Sequence, residues 1–157
     1  MNTELEQLAA TLHLSSEAAR PLALAFGLAC AKRAEHLLEV PAVQQCLNQL
    51  ERYVQGNLPA AQLAAAAQEA ARLANHHSGS KSIDGCGHAA VSASYGVSNA
   101  LAGKAMEAAS YCAYALVYAS GGDAAVAQSE AFDTEFAWQA NCLRELTTSA
   151  IVETEAI

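Results

Sequence analysis

Three histidines and a cysteine lie close together in the stretch from Asn75 to His88, which reads "NHHSGSKSIDGCGH". Imidazole nitrogens and thiolates are the ligands that zinc prefers. The stretch therefore contains a candidate metal site, formed by His76, His77, Cys86 and His88, and it leaves open an alternative function as a metal- or small-ligand-binding protein or an enzyme. Adjacent histidines followed by Cys-x-His depart from the paired spacing of structural zinc sites. A second interpretation stays open, in which the stretch is a polar connection between two helices and Asp84 caps the second one.

Other catalytic and ligand-binding motifs are absent from the sequence. A phosphate-binding P-loop requires G-x-x-x-x-G-K-[ST] after a strand, whereas Ser80 precedes Lys81 and a helical pattern precedes both. The Glu-x-x-His motif of di-metal bundles does not occur. No nucleophile motif surrounds any of the five cysteines. We therefore expect the cysteines to be buried core residues and predict no catalytic residue and no bound cofactor.

Acidic residues accumulate in the last quarter of the chain. Residues 1–119 contain nine acids and seven bases, whereas residues 120–157 contain seven acids and only Arg144 as a base. A formal net charge of −8 excludes the basic surface that nucleic-acid binding requires. An acidic surface instead attracts a basic protein. The candidate partner-binding residues are Asp123, Glu130, Asp133 and Glu135.

The elements that position these residues are predicted to be helices. Apolar residues recur at spacings of three and four along most of the chain. Glycines and prolines divide it into six or seven segments joined by short loops, which favours a compact, all-α bundle of mostly antiparallel helices. We predict one domain over residues 1–157, with a core from about 20 to 147 and a frayed tail from 148 to 157. Gly121-Gly122 is expected to end the sixth helix, and Asp123 to cap the seventh.

Two further features concern contacts between helices. Arg33 falls on the apolar side of the second helix, so we expect one of the C-terminal acids to form an ion pair with it. Tyr111, Tyr114 and Tyr118 recur at helical spacing on the sixth helix. This pattern favours the edge of a core, with a groove or an oligomer interface as the alternative.

Composition and hydropathy bear on location. Hydrophobic residues make up 53% of the chain, but no apolar run reaches the roughly 20 residues that a membrane span needs. The acidic, amphipathic start "MNTELEQLAA" is not typical of a secretory signal. We therefore expect a cytoplasmic protein that does not bind membranes. Alanine-rich helix faces also leave a homo-oligomer open.

The order of several segments resembles a known family. These segments are "LACAKRAEHLLE", "QLERYVQGNLPAAQLAAAAQEAARLA", "SYCAYALVYA" and "FAWQANCLREL". The rarer markers are Ala29-Cys30-Ala31-Lys32-Arg33, Tyr53 with Gly56, and Trp138-Gln139. Together they are similar to the alanine-rich helical immunity proteins of bacterial polymorphic toxin systems, the five-like immunity class, over about residues 21–146. The resemblance implies a cytoplasmic, non-enzymatic protein that binds and neutralises a protein toxin, and the acidic charge of the chain adds the expectation that this toxin is basic.

Overall fold

The computed structural model describes residues 1–78 and 86–155, without the side chains of Cys86, Val152 and Thr154. The described residues form seven α-helices and no strand, so the predicted all-α bundle is confirmed. The helices are α1 (Thr3–Thr11), α2 (Arg20–Ala34), α3 (Pro41–Val54), α4 (Ala60–Asn75), α5 (Cys86–Leu101), α6 (Ala105–Val126) and α7 (Asp133–Glu155). Short 3-10 helices at Glu17–Ala19 and Glu35–Leu37 directly precede and follow α2, and a third at Ser129–Phe132 directly precedes α7.

Local sequence explains most helix ends. Pro21 and Pro41 lie in the first turns of α2 and α3, where the missing N–H of proline has no intrahelical acceptor to lose. Asn2 caps α1, because its side-chain oxygen accepts a hydrogen bond from the Leu5 N–H at 3.2 Å. Gly103 lies two residues after the end of α5 and takes a positive φ of 75°, which favours glycine. These signals are local, which is why the sequence predicts them.

The double glycine breaks the sixth helix, as predicted. Gly122 takes φ 63° and ψ −151°, which is not a helical conformation but is accessible to glycine, so a kink divides Ala105–Val126 into two helical segments. The second segment is short, and the seventh helix begins at Asp133 rather than at Asp123. It continues to Glu155, past the predicted end near Thr147. The predicted break is therefore confirmed, whereas the predicted start of the seventh helix is wrong.

The two central helices, α2 and α5, contribute to both hydrophobic clusters of the core. One cluster joins them to α3 and α4 through side chains such as Leu24, Leu47, Leu50, Leu63 and Val97. The other joins them to α1, α6 and α7 through side chains such as Leu5, Phe26, Ala93, Cys112 and Leu143. α1, α6 and α7 therefore lie together on one side of the bundle, where they frame the candidate site.

Close helix contacts depend on small side chains. Gly96 on α5 faces Cys112 on α6, and a Cβ atom at position 96 would overlap the Cys112 sulfur. Alanines at positions 90, 93, 100, 108, 109 and 113 are buried on the same two helices. Because these residues are small, the backbones of α5 and α6 approach each other closely and exclude water along the contact.

Candidate functional site

An open groove of about 900 Å³ is formed by residues from both ends of the chain and from α6. It lies between the start of α1, the outer face of α6, the 3-10 helix at Ser129–Phe132 and the first turns of α7. Its apolar wall consists of Leu5, Met106, Tyr114, Val126, Phe132 and Phe136. Its exposed carboxylates are Glu6, Glu107 and Asp133. We call this surface the acidic groove; no lysine, arginine or histidine of the described residues lines it.

A hydrogen-bond relay holds the floor of the acidic groove. The Asn2 side chain donates to the Phe136 carbonyl at 3.1 Å and to the Gln139 side-chain oxygen at 3.2 Å. Gln139, itself buried, donates to the Ala109 carbonyl at 2.7 Å. The relay links α1, α7 and α6. The shape of the groove is thus fixed by polar contacts as well as by packing.

The carboxylates of the groove are available to bind a positively charged group of a partner. Glu6, Glu107 and Asp133 take part in none of the ion pairs found within residues 1–78 and 86–155. Each of these three residues is solvent-exposed. An acidic rim around a wall of half-buried aromatic and aliphatic side chains suits a ligand that is both cationic and apolar.

The four predicted partner-binding acids do not act alike. Asp133 lines the acidic groove, and Glu130 is exposed in the 3-10 helix immediately before it. Asp123 is exposed just after the kink, and its carboxylate lies near the Tyr118 hydroxyl. Burial of Tyr118, together with the Asp123 carboxylate, raises the pKa of that hydroxyl. Asp133 therefore lines the groove, whereas Asp123 and Glu130 are close to its lining residues in sequence.

Glu135 instead holds the bundle together. Its two carboxylate oxygens accept hydrogen bonds from Arg33 Nε at 2.6 Å and Nη2 at 2.9 Å. The Arg33 guanidinium also lies 4.6 Å from the centre of the Trp138 ring. These hydrogen bonds raise the pKa of Arg33. The expected ion pair between Arg33 and a C-terminal acid is present, and it commits Glu135 to the contact between α2 and α7.

The described residues of the histidine-rich stretch make individual contacts and form no ligand cluster. His76 Nδ1 donates to the Arg72 carbonyl at 2.7 Å, which caps the end of α4. The His88 ring packs against Tyr118 at 5.2 Å. His77 also makes a contact, whereas the Cys86 side chain and Asp84 lie outside the described residues. Within the described part of the chain, no group of three or more histidine, cysteine or acidic side chains could hold a metal ion.

The described cysteines are core residues, as expected. Burial raises the pKa of Cys112 to about 12 and raises that of Cys30 well above its ordinary value. Burial also raises the pKa of Cys46 and that of the half-buried Cys142. A thiol with a raised pKa forms little thiolate at neutral pH, so it is a poor nucleophile. These four residues therefore stabilise the core by packing.

Sequence reasoning missed most of the acidic groove. Its walls come from four separate elements, so no short motif contains them. One local signal was available: Phe132 and Phe136 are four residues apart beside Asp133, and their rings pack at 5.4 Å.

The tyrosines at helical spacing on α6 divide between core and surface. Tyr118 is buried, Tyr114 lines the groove and Tyr111 is 40% exposed.

Comparisons with known proteins leave the family open. The chain matches no family model, no curated protein and no solved structure. In the described part of the chain, no helix combines the length and the apolar character needed to cross a bilayer. The functional argument therefore rests on the geometry and charge of the acidic groove.

Proposed function

We propose that this protein is a non-catalytic immunity protein that binds a basic toxin through the acidic groove and thereby neutralises it. The observation that carries the proposal is the groove itself, an apolar cleft whose rim has carboxylates and no basic side chain among the described residues. The assignment of the partner as a toxin rests on the resemblance of the sequence to polymorphic-toxin immunity proteins.

The size and lining of the groove favour a folded peptide segment as the bound part of the partner. A volume of about 900 Å³ lies near the upper end of the ~300–1,000 Å³ range of small-molecule sites. Amphipathic helices bind in such grooves with their apolar side chains against the wall. Phe132, Phe136 and Met106 supply that wall. The acidic rim contacts the polar, positively charged side of the segment.

Charge also explains how the partner is found. The net charge of −8 is concentrated in residues 120–157, which contribute the 3-10 helix and α7 to the groove. Attraction between an acidic surface and a basic partner accelerates association and is weakened by salt. We expect the association rate to fall as ionic strength rises, and the dissociation rate to depend mainly on the apolar wall.

The first prediction reverses charge inside the groove. We expect Glu107→Lys combined with Asp133→Lys to weaken toxin binding by at least about tenfold, because like charges then face each other across the contact. The measurement is growth of cells that express the toxin encoded by the neighbouring gene, with and without each variant, followed by calorimetry on the purified pair.

The matched control makes the same change in net charge at exposed residues outside the groove. Glu39 and Glu145 are exposed and do not line the groove, so Glu39→Lys combined with Glu145→Lys should protect cells as well as the wild type. Circular dichroism establishes that both double variants are folded. If the groove variant protected cells as well as this control does, the acidic groove would not be the toxin-binding site.

A further inference from the structure

We propose that the central contact of the partner is an arginine, whose guanidinium stacks on Tyr114 while a groove carboxylate forms hydrogen bonds with it. This inference rests on the proposed function, because it names the chemical group that the acidic groove selects. Such a contact makes the acidic groove selective for a guanidinium group over other cations.

The face of α6 that lines the groove combines the two groups needed. Glu107, Ser110 and Tyr114 follow one another at spacings of three and four residues, so they share one side of the helix. All three line the acidic groove. Glu107 is exposed and Tyr114 is half-buried, which places a carboxylate and an aromatic ring along the same wall.

Neighbouring rings hold Tyr114 in place. Its ring stacks on that of Tyr118, with centres 5.8 Å apart and an angle of 27° between the planes. Tyr118 is itself buried and packs against the His88 ring, with ring centres 5.2 Å apart. A ring that is ordered before binding loses little conformational entropy when a ligand stacks on it. Tyr114 is therefore a preorganised platform.

The same chain already holds one arginine in this way. Arg33 lies between the Glu135 carboxylate, with contacts of 2.6 and 2.9 Å, and the Trp138 ring at 4.6 Å. Both partners of Arg33 lie on α7 at spacing i, i+3. The acidic groove offers the same pair of chemical groups, an aromatic ring and a carboxylate, and no lysine, arginine or histidine of the described residues lines it.

Arginine satisfies this pair of groups better than lysine does. The guanidinium is planar and weakly hydrated, so it can stack on a ring and still donate two parallel hydrogen bonds to a carboxylate. The ammonium of lysine is compact and strongly hydrated, and it gains less from the ring. The attraction between cation and ring is therefore stronger for the guanidinium, and we expect a preference of about fivefold for arginine.

Two synthetic peptides test the preference. Both are amphipathic helices of about sixteen residues with an identical leucine face, and the polar face carries four arginines in one and four lysines in the other. Fluorescence anisotropy at fixed ionic strength gives their dissociation constants. The wild-type protein should bind the arginine peptide about fivefold more tightly. Tyr114→Leu should bind both peptides equally, and Tyr114→Phe, which retains the ring, should keep the preference.

The outcomes separate this inference from the proposed function. Equal binding of the two peptides by the wild type would overturn the arginine preference and leave the groove intact. Retention of the full preference by Tyr114→Leu would also overturn it, because the ring would then not be responsible. If neither peptide bound the wild type at millimolar concentration, the groove would not take a cationic helix, and both proposals would be wrong.

Discussion

The contact between Arg33, Glu135 and Trp138 shows how single residues divide between stability and recognition. Glu135 is close in sequence to three exposed acids, and sequence alone does not distinguish it from them. The structure places its carboxylate against α2, with its side chain only 15% exposed. Its negative charge is therefore already neutralised by Arg33 and is not offered to a partner. Its neighbours Glu130 and Asp133 remain exposed.

A substitution at Glu135 tests this division. We expect Glu135→Gln to lower the free energy of unfolding by about 2 kcal/mol, because a partly buried arginine then loses its charged partner. The Arg33 side chain is 33% exposed, so water compensates part of the loss. The measurement is urea denaturation followed by circular dichroism.

Glu130→Gln is the matched control for this prediction. The Glu130 side chain is exposed and forms no ion pair among the described residues. We expect its unfolding free energy to stay within about 0.5 kcal/mol of the wild type. Equal destabilisation by the two substitutions would contradict the structural role assigned to Glu135.

At the scale of elements, the contact between α5 and α6 depends on the absence of a side chain at position 96. Gly96 interrupts an otherwise favourable helical sequence, and glycine costs roughly 1 kcal/mol relative to alanine in a helix. The nearby Cys112 sulfur occupies the space that a Cβ atom would need. Helix propensity and packing therefore oppose each other at this position, and packing prevails.

This opposition predicts a reversal of sign. Gly96→Ala should destabilise the wild type by about 1–2 kcal/mol through overlap with the buried thiol. In the Cys112→Ala background the sulfur is absent, so the same substitution should stabilise the protein by about 0.5–1 kcal/mol. Thermal unfolding of the four proteins in this cycle measures the coupling. Additive effects would show that the two positions are not in contact.

Helices were more predictable than the groove for a physical reason. Helix starts such as Pro21 and Pro41 depend on neighbouring residues, so the sequence contains the signal. The break at the double glycine is confirmed, but the predicted start of α7 at Asp123 is wrong, because a short helical segment and a 3-10 helix come between the break and Asp133. The groove residues Leu5, Met106 and Phe136 come from three helices. Their proximity is decided by the whole bundle, and no local pattern contains it.

At the scale of the whole molecule, α1 forms one wall of the acidic groove by packing on the far end of the chain. The hydrogen bond from Asn2 to Gln139 spans 137 residues. An ion pair between Glu4 and Arg144 joins the same two helices. A wall attached in this way connects partner binding to the stability of α1, since an opening of α1 would remove Leu5 and Glu6 from the groove together.

The Asn2–Gln139 hydrogen bond also has a consequence for the order in which the chain folds. Contacts between distant residues require closure of a long loop, which is entropically costly early in folding. We therefore expect α1 to dock last and to open first.

Hydrogen exchange tests this order. Asn2→Ala should speed deuterium uptake in Thr3–Thr11 by about fivefold or more, because the cap and the relay are lost, and it should leave uptake in α5 unchanged. Asn48→Ala, on the exposed side of α3, should leave uptake in both helices at the wild-type rate. Equal acceleration in α1 and α5 would mean that the bundle opens as a single unit.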